Sequence, residues 1–198
     1  TLVGGDRPVW LSAEEAAVAQ ALRTEKRRAD WLLGRRAAKQ LVAELVRSRD
    51  AQELPLDQIV ILPHADGWPI VTFTQHGHLP AVALSISHSH DGAFCAAFEA
   101  DRAIPGADIE LIEPRSAGFA AEYFTPPEQS LLALAPAEQR QTLTNAIWSG
   151  KEAALKAIRR GLAEDTRLVT CLPHPVTTGH QPWLPMPIRW AEEDGHRW

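Results

Sequence analysis

Two cysteines, Cys95 and Cys171, are all that 198 residues carry, so a disulfide framework is excluded as the source of stability. Long apolar runs are lacking too. No stretch reaches the roughly 18 residues that would make a membrane-spanning helix. A secretory leader pattern is not visible, and a reducing, cytoplasmic setting is expected. Positive charge is also short: 20 Lys and Arg against 25 Asp and Glu give a net charge of −5. That balance argues against nucleic-acid binding through bulk electrostatics. His88 and His90 have no Cys or acidic residue at zinc-like spacing. What is present is an ordinary globular balance, long enough for one large domain or two small lobes. The chain starts at Thr1 and ends on His196-Arg197-Trp198 without a helix stop, which leads us to expect a piece of a longer protein, with final strands missing.

The basic residues are unevenly spread. Arg23, Lys26, Arg27, Arg28, Arg35, Arg36, Lys39, Arg47 and Arg49 fall in one early segment. They lie on a helix expected over 25–48, whose apolar stripe is Trp31, Ala38, Leu41, Val42 and Leu45. Such a cluster reads either as a solvated face or as a local anion site. Ser12-Ala13-Glu14-Glu15 is a capping box that opens an earlier helix. Strands are expected over 58–62, 70–73, 81–87, 93–99 and 103–110, with Asp66-Gly67-Trp68-Pro69 and Asp91-Gly92 as turns. Helical pieces follow at 117–123 and 128–134. A long helix should run over 138–160 with Gly161 as its C′ residue. Then come a strand over 167–172, a proline-rich loop over 173–187 and a last strand at 188–190. Helices and small strands in this order predict an α+β fold. The order recurs in the two halves, without a sequence-level repeat.

Three stretches carry chemistry. Ser85-Ile86-Ser87-His88-Ser89-His90 ends a strand with hydroxyls and imidazoles, which suits either turn hydrogen bonds or a phosphate. Asp108 and Glu110 stand two residues apart in an apolar run. There they would need a pairing partner such as Arg115 or a hard cation, Mg²⁺ or Mn²⁺. Glu152 and Lys156 stand four apart on the long helix, the spacing of a surface ion pair worth about 0.2–0.5 kcal/mol or of a site that handles phosphate.

Together these stretches resemble a known family. Ser85-Ile86-Ser87-His88-Ser89, Gly106-Ala107-Asp108-Ile109-Glu110 and Trp148-Ser149-Gly150-Lys151-Glu152-Ala153-Ala154-Leu155-Lys156 look like the three signatures of 4′-phosphopantetheinyl transferases. Their order and separation are similar to those of the longer, Sfp-like branch. Leu32-Leu33-Gly34-Arg35, Gly67-Trp68-Pro69 and Tyr123-Phe124-Thr125-Pro126-Pro127-Glu128 add to the likeness, which spans roughly residues 20 to 160.

The resemblance implies a pseudo-dimer of two similar α+β lobes, divided here as 1–102 and 103–198. The first would bind CoA and the second would carry the metal and catalytic motifs. It implies transfer of the phosphopantetheine arm of coenzyme A to a serine of an apo carrier protein, with release of adenosine 3′,5′-bisphosphate. Asp108, Glu110 and Glu152 would hold Mg²⁺, or Mn²⁺, on the pyrophosphate. Glu152 would act as general base and Lys156 would bind or protonate the leaving phosphate. Ser87, His88, Arg28 and Arg35 would bind the 3′-phosphate of CoA, with Gly67, Trp68 and Pro69 beside the adenine. Glu128 and Lys151 are accessory candidates. Two departures stand out: Trp68 replaces a commonly basic residue, and the glycine-rich lead into Asp108 is shortened to Pro105-Gly106-Ala107. A monomer with pseudo-twofold symmetry is expected, without nucleic acid or membrane. The competing readings are a CoA or carrier-binding module without turnover and a metal-dependent phosphoesterase.

Overall fold

Ser12 starts the first helix as its sequence predicts. Its hydroxyl accepts the Glu15 N–H, and the Glu15 carboxylate accepts the Ser12 N–H in return. The computed structural model describes residues 8–74, 79–160, 164–173 and 186–191. Gly161, most of the proline-rich segment and the last seven residues lie outside that set. The chain divides into two compact units, Thr1–Ala107 and Asp108–Trp198. Both combine helices with small antiparallel sheets, an α+β architecture.

In the first unit, α1 (Ala13–Ala21) precedes the long α2 (Glu25–Asp50), which Thr24 caps. A 3-10 turn at Leu56–Gln58 leads into β1 (Ile59–Pro63), which pairs with β2 (Pro69–Phe73). β3 (Val82–Ser89) pairs with β4 (Gly92–Glu99), setting Ser87 opposite Phe94 and His88 opposite Ala93. Ala38 and Val42 of α2 share a face one turn apart and pack on Ile59, Ile61, Val82 and Leu84. The tip of the β1–β2 hairpin closes through His64 N–H to Trp68 O (2.7 Å) and Gly67 N–H to His64 O (2.9 Å). Gly67 takes φ +100°, which a residue with a Cβ rarely adopts.

In the second unit, α3 (Phe119–Tyr123), α4 (Pro126–Leu134) and α5 (Ala137–Ala157) come first. A 3-10 turn at Thr166–Leu168 follows, then β5 (Val169–Cys171), paired with β6 (Ile188–Trp190). Ile147, Trp148 and Leu155 of α5 pack on Phe124, Val169 and Cys171. Trp148 also meets Phe119 and Tyr123 edge-on, with centroids 5.1 and 5.3 Å away. No described helix is long and apolar enough to cross a membrane.

The two units repeat one internal device. Glu15 and Glu128 are each the third helical residue of a capping box, on α1 and α4. Both are fully buried, and each pairs with a fully buried lysine on the next helix, Lys39 or Lys151. Each glutamate also accepts the N–H of the third residue of the following strand, Ile61 (3.0 Å) or Cys171 (2.6 Å). Each lysine donates to the first carbonyl of the 3-10 turn, Leu56 (3.0 Å) or Thr166 (2.9 Å). The two units therefore share a buried charge pair in the same place without a sequence-level repeat.

Two expectations need correction. Residues 103–110 form no strand. Pro105 has no N–H for a ladder, and the Ala107 N–H is taken by the Ser85 hydroxyl at 2.9 Å. The long helix also ends earlier than expected, at Ala157. Arg159, at φ 59°, takes the left-handed C′ position assigned to Gly161. The Arg159 and Arg160 N–H groups then satisfy the carbonyls of Lys156 and Leu155, both at 3.1 Å.

Candidate functional site

Loss of the strand does not scatter the carboxylates. One oxygen each from Asp108, Glu110 and Glu152 lie within 4.8 Å of one another. Glu152 comes from α5, while Asp108 and Glu110 come from the irregular segment that opens the second unit. The Asp108 side chain is only 2% exposed, and Lys156 Nζ reaches its Oδ1 at 2.6 Å. Lys156 stands farther, 3.7 Å, from Glu152 on its own helix. Glu110 is held by Arg115 at 2.8 Å. Arg115 in turn donates from Nε to Asn145 Oδ1 at 2.9 Å, and its guanidinium lies 5.3 Å from the centre of the Phe119 ring. Asn145, buried on α5, donates to the Glu113 and Gln141 carbonyls at 2.9 Å.

Among the described residues, these three carboxylates face two cations, and Arg115 is shared with Glu113 at 4.0 Å, so the cluster keeps a surplus of negative charge. Burial pushes the Glu152 carboxyl above its ordinary value; Asp108 adds to the rise, and Lys156 opposes it. Hard oxygen donors with surplus negative charge fit Mg²⁺ or Mn²⁺, which take carboxylates together with water and substrate phosphate. In the residues' own terms, this is a candidate cation site with a lysine beside it and a carboxylate of raised pKa among its members.

The first unit holds a second cluster. An open pocket of about 180 Å³ is lined by Trp31, Gly34, Arg35, Gly67, Pro69, Ile86 and His88. Arg35 stacks on Trp31 one turn earlier, 4.7 Å from the ring centre. Its Nε is buried without a hydrogen-bond partner among the described residues, and burial lowers its pKa. Among the described residues the pocket thus joins an aromatic wall to a cation with one unpaired N–H.

The candidate residues sort clearly. Arg35, Gly67, Pro69 and His88 share the pocket. Ser87 is buried on β3, next to His88. Trp68 is not among the lining residues; its ring stacks on His64, with centroids 3.8 Å apart. Arg28 donates to the Ala19 and Leu22 carbonyls at 3.0 and 3.2 Å, serving as a cationic cap for the end of α1. Glu128 and Lys151 form the buried pair of the second unit. Sequence reasoning placed Trp31 in the apolar stripe, although its i, i+4 spacing to Arg35 is a stacking signal. It missed Asn145, a mid-helix polar residue with no sequence mark of its burial.

Residues 105–196 match the family model described as the 4′-phosphopantetheinyl transferase superfamily. The chain is 30% identical over 154 residues to the 4′-phosphopantetheinyl transferase psf-1 of Bacillus pumilus, covering 78% of this chain and 60% of that one. It is 39% identical over 83 residues to the 4′-phosphopantetheinyl transferase HetI of a Nostoc species, covering 41% of this chain and 34% of that one. The chain thus spans about three fifths of the first relative's length and about a third of the second's.

Proposed function

We propose that this chain, which is similar over residues 105–196 to the 4′-phosphopantetheinyl transferase superfamily, transfers the phosphopantetheine arm of coenzyme A to a serine hydroxyl of an apo carrier protein. The observation that carries the reading is the convergence of Asp108, Glu110 and Glu152 within 4.8 Å, with Lys156 beside them. Transfer of a phosphoryl-linked group asks mainly for charge neutralisation and alignment.

Asp108, Glu110 and Glu152 would hold Mg²⁺, with Mn²⁺ as a substitute. The ion would neutralise and orient the pyrophosphate. Glu152 takes the proton of the carrier serine. The serine oxygen forms a bond to the β-phosphorus of coenzyme A, and the bond from that phosphorus to the bridging oxygen breaks. Adenosine 3′,5′-bisphosphate leaves, with Lys156 donating to its developing charge. Arg115 keeps the Glu110 carboxylate turned toward the cluster. In the first unit, Arg35, Ser87 and His88 are suited to the 3′-phosphate of CoA. Gly67, Pro69 and Trp31 offer a surface for the adenine.

The same reading makes the protein a cytoplasmic monomer in which the first unit binds CoA and the second carries the catalytic residues. Its partner would be an acyl or peptidyl carrier protein, docked against the second unit near the segment after Ala120. A phosphoesterase using the same carboxylates would instead release inorganic phosphate from CoA and leave no adduct. A binding module would do neither. The deciding experiment is intact mass spectrometry of a panel of apo carrier proteins incubated with CoA and the protein, with Mg²⁺ and with a chelator. One phosphopantetheine added per carrier, only with Mg²⁺, is the expected result; unmodified carriers throughout the panel overturn the proposal.

A further inference from the structure

We infer that Lys151 is a positioning residue for Glu152, its neighbour in sequence, and that the buried pair it makes with Glu128 sets the rotation of α5 about its own axis. The inference rests on the metal-site reading of Asp108, Glu110 and Glu152 given above.

Lys151 is fully buried, and its ammonium meets three acceptors: Glu128 Oε2 at 2.8 Å, the Thr166 carbonyl at 2.9 Å and the Val169 carbonyl. Three acceptors use all three donors of an ammonium group. Glu128 extends the contact, accepting the Thr125 N–H at 2.7 Å and the Cys171 N–H at 2.6 Å. One side chain of α5 is therefore tied directly to the 3-10 turn and β5, and through Glu128 to the start of α4.

Stability alone does not call for this arrangement. A buried ion pair replaced by well-packed apolar side chains is often neutral or stabilising. What apolar contacts do not supply is direction. Successive helical residues point about 100° apart, so Lys151 faces the core while Glu152 faces the acidic cluster. A helix turning by about 20° would move a carboxylate some 6 Å from its axis by about 2 Å. That is as long as a whole Mg–O bond of about 2.0–2.1 Å, in a coordination shell that tolerates little distortion. A tripod of hydrogen bonds one residue away suppresses that turn.

The first unit supplies an internal control. Lys39 is equally buried and meets Glu15, the Leu56 carbonyl at 3.0 Å and the Trp10 carbonyl at 2.9 Å. Its helix carries Arg35 one turn earlier and no member of the acidic cluster. Breaking either pair disturbs a core of the same design, but only Lys151 lies beside a proposed metal ligand.

The test measures Mn²⁺ binding to the whole protein from the electron paramagnetic resonance of the free ion, without substrate, alongside thermal melts. Variants are Lys151→Met, Lys39→Met, Glu152→Gln and the double variant Glu128→Gln/Lys151→Met. The double variant removes both charges and strands neither. Loss of binding in Glu152→Gln establishes that the acidic cluster is the site being read; unchanged binding there overturns the metal-site reading itself. Given that loss, the expected result is Mn²⁺ affinity about tenfold weaker in Lys151→Met and in the double variant, the scale of losing a residue that orients a metal ligand. Lys39→Met should lower the melting temperature and leave the affinity unchanged. A folded double variant with the original affinity, or equal weakening in Lys39→Met, overturns the inference.

Discussion

Lys156 bonds Asp108, 48 positions earlier in the chain, at 2.6 Å, more closely than it approaches Glu152 one turn away on its own helix. What reads in sequence as an i, i+4 surface pair is thus a lysine turned into a cluster of carboxylates. The pairing offsets part of the negative charge there and, on the proposed reaction, would hold the ammonium for the leaving phosphate. Lys156→Ala should leave the fold intact and slow transfer by about 10²-fold or more, the usual contribution of a positioned proton donor or charge clamp. Single-turnover modification of a carrier protein, followed by intact mass, measures it. Undiminished transfer would remove Lys156 from the mechanism.

Glu152→Gln keeps the shape of the side chain and removes both its proton affinity and its charge. We expect a folded protein whose transfer rate falls by about 10²–10⁴-fold, the range for loss of a general base. Raising Mg²⁺ should not restore the rate. Circular dichroism checks the fold, and carrier modification at several Mg²⁺ concentrations checks the rest.

Burial pushes the Cys95 thiol up to about 11 and the Cys171 thiol up to about 12 from an ordinary value of 9.0. For Cys95 that shift lowers the thiolate fraction at pH 8 by about a hundredfold. Neither cysteine of the native protein should react promptly with a disulfide reagent at pH 8, and both should react once it is unfolded. The sign for stability follows from linkage. Folded-state values above the unfolded one mean that this contribution is fully present below about pH 9. It is lost as pH rises through about 11 and 12. Urea melts across that range should show stability falling with pH, and less steeply in Cys171→Ala.

Asn145 joins α5 to the segment that carries Glu110, accepting from Arg115 and donating to the Glu113 carbonyl. Asn145→Ala strips a buried network of its central member. It should cost about 1–3 kcal/mol of stability, the usual penalty for buried polar groups left without partners. Comparing urea midpoints of the variant and the original protein tests this. The Glu110 carboxylate should also lose part of its hold, which a higher Mg²⁺ requirement in the transfer assay would reveal.

A Cβ at Gly34 would stand 3.0 Å from Ile86 Cγ2, at the wall of the Arg35 pocket. Gly34→Val should therefore narrow that pocket. We expect KM for CoA to rise about tenfold or more with kcat less affected, the signature of lost ground-state binding. Steady-state kinetics at varied CoA separate the two parameters.

Much of the site was legible because its residue types are unusual where they stand. Asp108 and Glu110 sit in an apolar run, and Glu152 and Lys156 recur at a helical interval. The strand assigned around Asp108 was misread because alternation resembles pairing even where a proline and a hydroxyl acceptor prevent it. Arg28 and Arg35 looked equivalent in a basic cluster, and only packing separates a helix cap from a pocket wall. Glu128 and Lys151 stand in motifs and read as accessory candidates, and the structure places both in the core as an ion pair. Charged residues in a sequence read as surface or site, and nothing local marks a pair sunk in the core. The helices were easiest to place: the capping box at Ser12 announces the start of α1 directly, whereas the one at Thr125 starts α4 two residues before the expected position 128.

The twin buried pairs also bear on how such a protein can change over generations. Removing one member of Glu15–Lys39 or of Glu128–Lys151 leaves a lone charge in the core, at a cost of about 3–5 kcal/mol. A whole domain has only about 5–15 kcal/mol to lose. Replacement of either pair therefore needs two coordinated substitutions, and most single-step routes are closed. The two cores are therefore constrained at these four positions more tightly than at exposed ones, where a single substitution usually shifts stability by no more than about 0.5 kcal/mol.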